Sequence, residues 1–427
     1  MKVLVVGSGG REHAVVWKLR QGHPDLDLWC VPGNFGISQQ AYCVTGDLSD
    51  PESLASFAER EKFDLTFVGP EAPLVRGIAN AFASRGLRLI GPSAPAATLE
   101  GSKAYAKEFM ARGGIPTAQF EICDSPQRAA QVIDSGRFGY PIVIKADGLA
   151  AGKGVVLATN QREAYSTLEA FMVRETLADA GRIVVLEQWL SGRECSLLVF
   201  TDGESFLPLP CAQDYKRLMD RDRGPNTGGM GSICAPDLVD EATRAEILEK
   251  MVSPTICQCV KEGRPFKGVL YVGLMLTRSG PMVLEYNARL GDPETQAILP
   301  RLASDLLEIF EAIHAGELHR VKPVWSEDSA ACVILASGGY PGKYISQMAI
   351  RGLDETRELE NVVVFHSGTA SPNGQEVYTA GGRVLGVTAT DTTLEGALER
   401  AYQGVSLIDF EEMQFRRDIG GYSDHGV

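Results

Sequence analysis

What the chain lacks narrows its possible roles. In 427 residues no apolar run approaches the roughly 18 residues of a membrane helix, so a helical membrane protein is excluded. The opening MKVLVVGSGG is too short an apolar stretch for a signal peptide and runs straight into glycine. Nine cysteines are scattered without any paired CxxC spacing, which argues against zinc and for reduced core thiols in a cytoplasm. The six histidines show no metal-type spacing, and neither GxSxG nor HExxH occurs. Basic side chains are in deficit, 41 Lys and Arg against 55 Asp and Glu, for a net charge of −14. A protein that grips nucleic acid needs the opposite balance. A small anionic substrate is still allowed, because a few local lysines and arginines can dominate one cleft.

What is present is an ordinary soluble composition, 44% hydrophobic and 22% charged, long enough for about two to four domains. Residues 1 to 100 alternate strand and helix. VLVVG precedes amphipathic REHAVVWKLRQG; the strands DLDLWCVPGN, DLTFVGPE and LRLIGPS are separated by helix PESLASFAEREK and one helix through PLVRGIANAFASRG. Such alternation predicts a parallel, doubly wound sheet, with ligands at the strand ends marked by Gly7, Gly33, Gly69 and Gly91. From Gly101 the pattern becomes α+β. It includes helix SKAYAKEFMARGG, a polar loop RDRGPNTGGMGS, one long helix through EATRAEILEKMVSPTICQCVKEG, and the strands GVLYVGLMLT and MVLEYNARL. A boundary near RVKPVWSED opens a last region with strands AACVILAS, VVVFHSG and GRVLGVTAT and helix TTLEGALERAYQGV.

Five features carry chemistry. IVIKADGLAAGKGVV holds Lys145, Gly148, Gly152, Lys153 and Gly154. It is no Walker A loop: only three residues separate Gly148 from Gly152, Gly154 stands where a hydroxyl is needed, and strand follows instead of helix. That spacing predicts a hairpin tip that folds over nucleotide phosphates. In GSGGREH the third glycine of a dinucleotide fingerprint falls on Glu12. Gly9, Gly10 and Arg11 then form either a plain tight turn or a seat for one phosphate at a helix N-terminus.

In LEYNARLGDPETQ, strand alternation puts Glu285 and Asn287 on one face. They make either a salt-bridged edge or a magnesium site, since Mg²⁺ takes one or two protein oxygens beside phosphate and water. Arg289 continues that face if the strand persists, ready to neutralise phosphate or carboxylate. AQDYKR with GPNTGGMGS is either a surface loop or an anion and substrate binder rich in backbone N–H groups. In LEQWLSGREC, Glu187 and Glu194 are either solvated glutamates or acceptors for ribose hydroxyls. With no covalent nucleophile in sight, the expected chemistry is phosphoryl transfer organised by position and charge.

The set GSGGREHA, PGN, GPEAPLV, LEGSKAYAKEFM, IPTA, IVIKADGLAAGKGV, QDYKR, GPNTGGMG, LYVGLM, EYNARLGDPETQ, SGGYPG and GGRVLGVTA resembles the phosphoribosylamine–glycine ligase family, ATP-grasp enzymes of purine biosynthesis. The likeness runs in order from residue 1 to about 420. It implies an α/β and α+β multidomain fold. A Rossmann-like domain would span 1–101, an ATP-grasp domain 102–324 with a lid subdomain at about 122–192, and a small α+β domain 325–427. It further implies ligation of glycine to 5-phosphoribosylamine with ATP through glycyl phosphate, aided by Mg²⁺ or Mn²⁺, in a cytoplasmic monomer without nucleic-acid or membrane partners.

By position, the resemblance places Lys103 and Lys145 at ATP phosphates or the adenine side, and Gly148 to Gly154 as the lid, with Gly152 and Lys153 at its tip. Glu187 and the backbone after it would face adenine, Glu194 the ribose, and Glu285 with Asn287 the metal. Arg289, Asp214, Asp292 and the Asn226, Thr227, Gly228 and Gly229 loop would face glycine and the ribosylamine, with Gly9, Gly10 and Arg11 at the 5-phosphate. Arg289 and Lys145 are the expected catalytic pair. PGNFGIS, Gln188, a shortened segment near VRETLADAG and a C-terminus without Trp after DIG depart from the family pattern. Another ATP-grasp carboxylate–amine ligase would share the lid and metal strand but not RLGDPETQ with GPNTGGMG. A non-catalytic nucleotide-binding module would lack at least one of Lys145, Glu285 or Asn287.

Overall fold

A computed structural model of the chain describes residues 1–150 and 154–421. Val3 to Val6 are completely buried in the strand Lys2–Gly7, the middle of a parallel sheet. The order across it is Tyr42–Cys43, Asp27–Pro32, Lys2–Gly7, Leu65–Val68, Leu89–Ile90. Chain order reverses between Lys2–Gly7 and Leu65–Val68, the crevice where doubly wound sheets take ligands. Gly7 and Gly69 flank that crevice. A Cβ on them would fall 2.5 and 1.9 Å from the Glu12 side chain, so both positions are bare to admit it. The single helix expected through PLVRGIANAFASRG is two, Glu71–Val75 and Ile78–Ser84, because Gly77 breaks it at φ +91°.

Among the described residues, three further sheets of four or five strands are antiparallel. Phe120–Cys123, Val184–Gln188, Ile142–Ala146 and Val155–Ala158 form one, backed by helices Pro126–Asp134 and Gln161–Leu168 around a core of their own that includes Ile144, Leu168 and Leu186. The expected hairpin is there: Ile142 pairs with Ala158 and Lys145 with Val155, and Ala146 N–H donates to Gly154 O at 2.7 Å. Gly152 and Lys153, which the sequence reading put at the tip, lie outside the described residues.

The next sheet runs Phe206–Pro208, Arg193–Asp202, Lys267–Thr277, Gly280–Asn287. Its last strand stops at Asn287, so Arg289 lies beyond the strand expected to carry it. The final sheet orders Gln213–Asp214, Gly231–Cys234, Ser329–Ala336, Arg383–Asp391 and Val362–His366, and so joins chain from both sides of residue 325. Part of the expected loop RDRGPNTGGMGS is paired: Arg217–Met219 and Arg223–Asn226 form a two-stranded ribbon. The long helix through EATRAEILEKMV contains a wider π turn, Leu248–Val252, just ahead of Pro254, which has no N–H to donate. Phe310 of helix Leu306–Ala315 stacks on Phe67 at 5.0 Å and meets Phe200 edge-on, fastening the parallel sheet to the sheet that carries Glu285.

Candidate active site

Three charged groups converge on the strand Gly280–Asn287 and the turn that follows it. The first joins two sheets. Lys145 ends the buried strand Ile142–Ala146; its Nζ lies 3.0 Å from Glu187 Oε1 and donates to Leu284 O at 3.0 Å. Glu187 Oε2 is 2.8 Å from Lys107 Nζ, and all three side chains are nearly inaccessible to water. Burial drags the Lys107 ammonium down to about 8, against the pull of Glu187. Lys103 opens the helix Lys103–Gly113, capped by Ser102, whose hydroxyl accepts from Tyr105 N–H and donates to Asp147. Its Nζ donates to Gly148 O at 3.0 Å, and Gly148 takes φ +107° to turn the chain there.

The second group gathers carboxylates around one lysine. Lys216 Nζ stands 2.8 Å from Glu194 Oε2 and 3.9 Å from Glu285 Oε1. Burial opposes ionisation of Glu285, but Lys216, Lys145, Lys103 and Arg289 together hold its carboxyl below the usual range. Asp214 has the opposite fate. Burial, with Glu294, Glu194 and Glu285 near it, pushes its carboxyl up to about 8 despite Lys216. Tyr271 bridges Ser196 and Glu294, its hydroxyl 2.6 Å from Ser196 Oγ and donating to Glu294 Oε1 at 2.8 Å. Along the strand, Tyr286 is buried against Thr255 while Glu285 and Asn287 are half-buried, as alternation requires.

The third group is built on the turn after Asn287. Arg289 reaches Glu71 at 3.3 Å and Glu100 at 3.1 Å, and donates to Asn287 Oδ1 at 3.3 Å. Burial works against its charge, yet Glu100 and Glu71 outweigh it and push the guanidinium pKa further up. Arg289 and Arg11 both donate to Leu290 O, at 3.1 and 3.2 Å. Asp292 is held by Arg383 at 3.1 Å and accepts from Gln296 at 2.7 Å. Gly228 N–H donates to Tyr340 OH at 2.9 Å, and its carbonyl accepts from Arg383. Gly229 has φ +108°, and a Cβ there would sit 2.4 Å from Pro293, so the GPNTGGMG turn packs directly on RLGDPETQ.

Residues from distant stretches therefore meet as the sequence suggested, with differences in detail. The Glu187 carboxylate, expected beside adenine, is engaged by two lysines. Gly9 N–H, expected to offer itself to phosphate, donates to Glu12 Oε2 at 2.6 Å, and Arg11 pairs with the same carboxylate. Thr227 Oγ1 donates to Lys216 O at 2.8 Å, while Asn226 ends the ribbon opposite Arg217. Lys107, Lys216, Glu294, Glu71, Glu100, Tyr271 and Arg383 join the site although the sequence assigned none of them a role. Each lies in a stretch that carries the family likeness, and Lys107 also stands four residues after Lys103 on one helix face.

A hairpin-bearing antiparallel sheet set against the sheet of Glu285, with buried lysines between them, defines an ATP-grasp fold. The chain belongs to the phosphoribosylglycinamide synthetase family: that family's N domain matches residues 1–100, its ATP-grasp (A) domain 101–295 and its C domain 330–422. It is 48% identical to the phosphoribosylamine–glycine ligase of Caldanaerobacter subterraneus subsp. tengcongensis over 99% of this chain and 100% of that one. It is 45% identical to the human trifunctional purine biosynthetic protein adenosine-3 over 98% of this chain, spanning 42% of that protein. The crystal structure of phosphoribosylamine–glycine ligase from Thermotoga maritima superposes with a TM-score of 0.86 at 33% identity, covering 98% of this chain and all of that one.

Proposed function

We infer that the chain joins glycine to 5-phosphoribosylamine at the expense of ATP, giving glycinamide ribonucleotide, ADP and phosphate in purine biosynthesis. The observation that carries this reading is the meeting of Lys145, Glu285, Asn287 and Arg289 along one strand and its turn, on a chain of this family. A glycine carboxylate oxygen attacks the γ-phosphorus, and the bond to the β–γ bridging oxygen breaks, giving glycyl phosphate and ADP. The ribosylamine nitrogen then attacks the acyl carbon; the carbon–oxygen bond breaks, phosphate leaves with the electron pair, and the nitrogen gives up a proton.

Each step shifts negative charge, and the chain answers with fixed cations. Lys145 is anchored by Glu187 and Leu284 O, so its ammonium meets phosphate without reorganising. Lys103 serves the same charge from the helix start. Arg289, rigid between Glu71 and Glu100, faces the glycine carboxylate, with Asp292, Thr227, Gly228 and Gly229 forming the wall toward the ribosylamine. Asp214 is a neutral carboxyl that the glycine ammonium would return to carboxylate. Glu194 takes ribose hydroxyls, the backbone after Glu187 takes adenine, and the Gly9–Arg11 turn lies toward the 5-phosphate.

An ionised Glu285 beside the Asn287 amide oxygen is a set of hard oxygen donors that suits Mg²⁺ or Mn²⁺. Bound there, the ion would screen charge on the ATP phosphates. The division at 101 and 324, with a lid near 122–192, follows from this reading, as does a cytoplasmic location. No helix among the described residues is long and apolar enough to cross a membrane. Glycine labelled with ¹⁸O in its carboxylate tests the route: one label appears in released phosphate if glycyl phosphate forms, and none if the amine is joined without carboxylate activation.

A further inference from the structure

The C-terminal segment Arg416–Gly421 takes no part in the chemistry above, yet its polar groups converge on the back of the site. Arg416 is 1% exposed, the largest fully buried side chain among the described residues. Its guanidinium pairs with Asp222 at 2.6 Å and with Asp418 at 2.8 Å, donates to Arg217 O at 3.3 Å, and lies 5.0 Å over the Tyr215 ring. The Tyr215 hydroxyl donates to Gly421 O at 3.0 Å and accepts from Gly420 N–H at 2.9 Å. Arg221 N–H donates to Asp418 and Arg417 N–H to Asp220, so the segment is stitched to the turn that joins the two ribbon strands. Tyr402 closes the far side, accepting from Ile419 N–H and donating to Arg416 O.

Tyr215 stands between Asp214 and Lys216, in backbone that pairs with Gly231 and Met230. Neighbouring side chains of extended backbone point to opposite faces. The ring therefore goes to the tail while Lys216 goes to Glu194 and Glu285. A buried guanidinium with two carboxylates is a poor way to gain stability, because desolvation offsets the attraction; its effect is to fix one arrangement. We propose that the Arg416–Tyr215 clamp is a positioning device, through which the C-terminal segment aims Lys216 between Glu194 and Glu285. This rests on the ligase reading given above. Lys216 then neutralises those carboxylates at one fixed place, and an unclamped Tyr215 lets that cation wander.

The test uses the full chain and follows phosphate release while ATP, glycine and 5-phosphoribosylamine are varied in turn. Tyr215→Phe deletes only the hydroxyl that holds Gly420 and Gly421. Its kcat is expected to fall about tenfold, with the KM for ATP unchanged within about twofold. Arg416→Gln is expected to behave alike, and Arg416→Lys to recover part of the rate. Lys216→Met is the decisive background: adding Tyr215→Phe to it costs nothing more if the clamp acts through Lys216. Full activity in Tyr215→Phe overturns the proposal, as does a double variant slowed by the product of the two single effects. If Arg416→Gln does not fold, Tyr215→Phe and the double variant decide alone. A wild-type chain that makes no glycinamide ribonucleotide overturns the ligase reading itself; an active wild type with an indifferent Tyr215→Phe overturns only the clamp.

Discussion

Lys145 and Glu187 sit on neighbouring antiparallel strands with Nζ and Oε1 3.0 Å apart, and Lys107 closes on the other carboxylate oxygen at 2.8 Å. Two buried cations on one carboxylate leave a net positive charge in a low-dielectric wall, which a phosphate oxygen would balance. Glu187→Gln removes the compensation and is expected to destabilise the chain by about 3 kcal/mol, the usual result of breaking a buried pair from one side. ATP should restore part of the loss, since it binds only the folded state. Urea unfolding with and without ATP reads both effects.

Asp214 ties stability to pH. Its carboxyl is raised from 3.8 to about 8 by burial, so between those values the folded chain keeps a proton that the unfolded chain has released. Its contribution is complete below the unfolded value and is lost as pH rises toward about 8. Asp214→Asn keeps a neutral group throughout. Between about pH 5 and about pH 8, its urea midpoint should fall less than that of the wild type.

Arg289 holds two carboxylates and an amide with one planar fork, a geometry that a lysine does not reproduce. Arg289→Lys leaves Glu71 or Glu100 without its partner. The expected outcome is a drop of about tenfold to a hundredfold in kcat/KM for glycine, measured by steady-state ADP formation.

Gly229 carries a backbone demand as well as a spatial one. Its φ is +108°, and a side-chain Cβ would stand 2.4 Å from Pro293, so Gly229→Ala must move the turn away from RLGDPETQ. We expect a stability loss of about 1–3 kcal/mol, together with a raised KM for 5-phosphoribosylamine and a nearly unchanged KM for ATP.

Much of this site was legible because its pieces are local. The two-residue period of LEYN put Glu285 and Asn287 on one face, and the three-residue gap between Gly148 and Gly152 marked a hairpin. The glycines of GPNTGGMG fit one crowded turn. What escaped reading depends on distant partners. Lys216 is defined by Glu194 and Glu285, and Asp214 by Glu294 as well, contacts that only the folded sheets create. Arg289 looked like strand because the turn after Asn287 has no proline or glycine before Gly291 to announce it. Gly77 breaks a helix that its apolar pattern would otherwise continue, a case of backbone freedom overriding periodicity.

Charge fixed around Glu285 should make the chain spend ATP only to join glycine to 5-phosphoribosylamine. The most direct measurement is ADP formation with each substrate withheld in turn, in the wild type and in Glu285→Gln. ADP is expected only when glycine and 5-phosphoribosylamine are both present, with a stop on chelation of divalent metal and a loss of about a hundredfold or more in Glu285→Gln. Equal ADP formation without glycine, or full activity in Glu285→Gln, would contradict it.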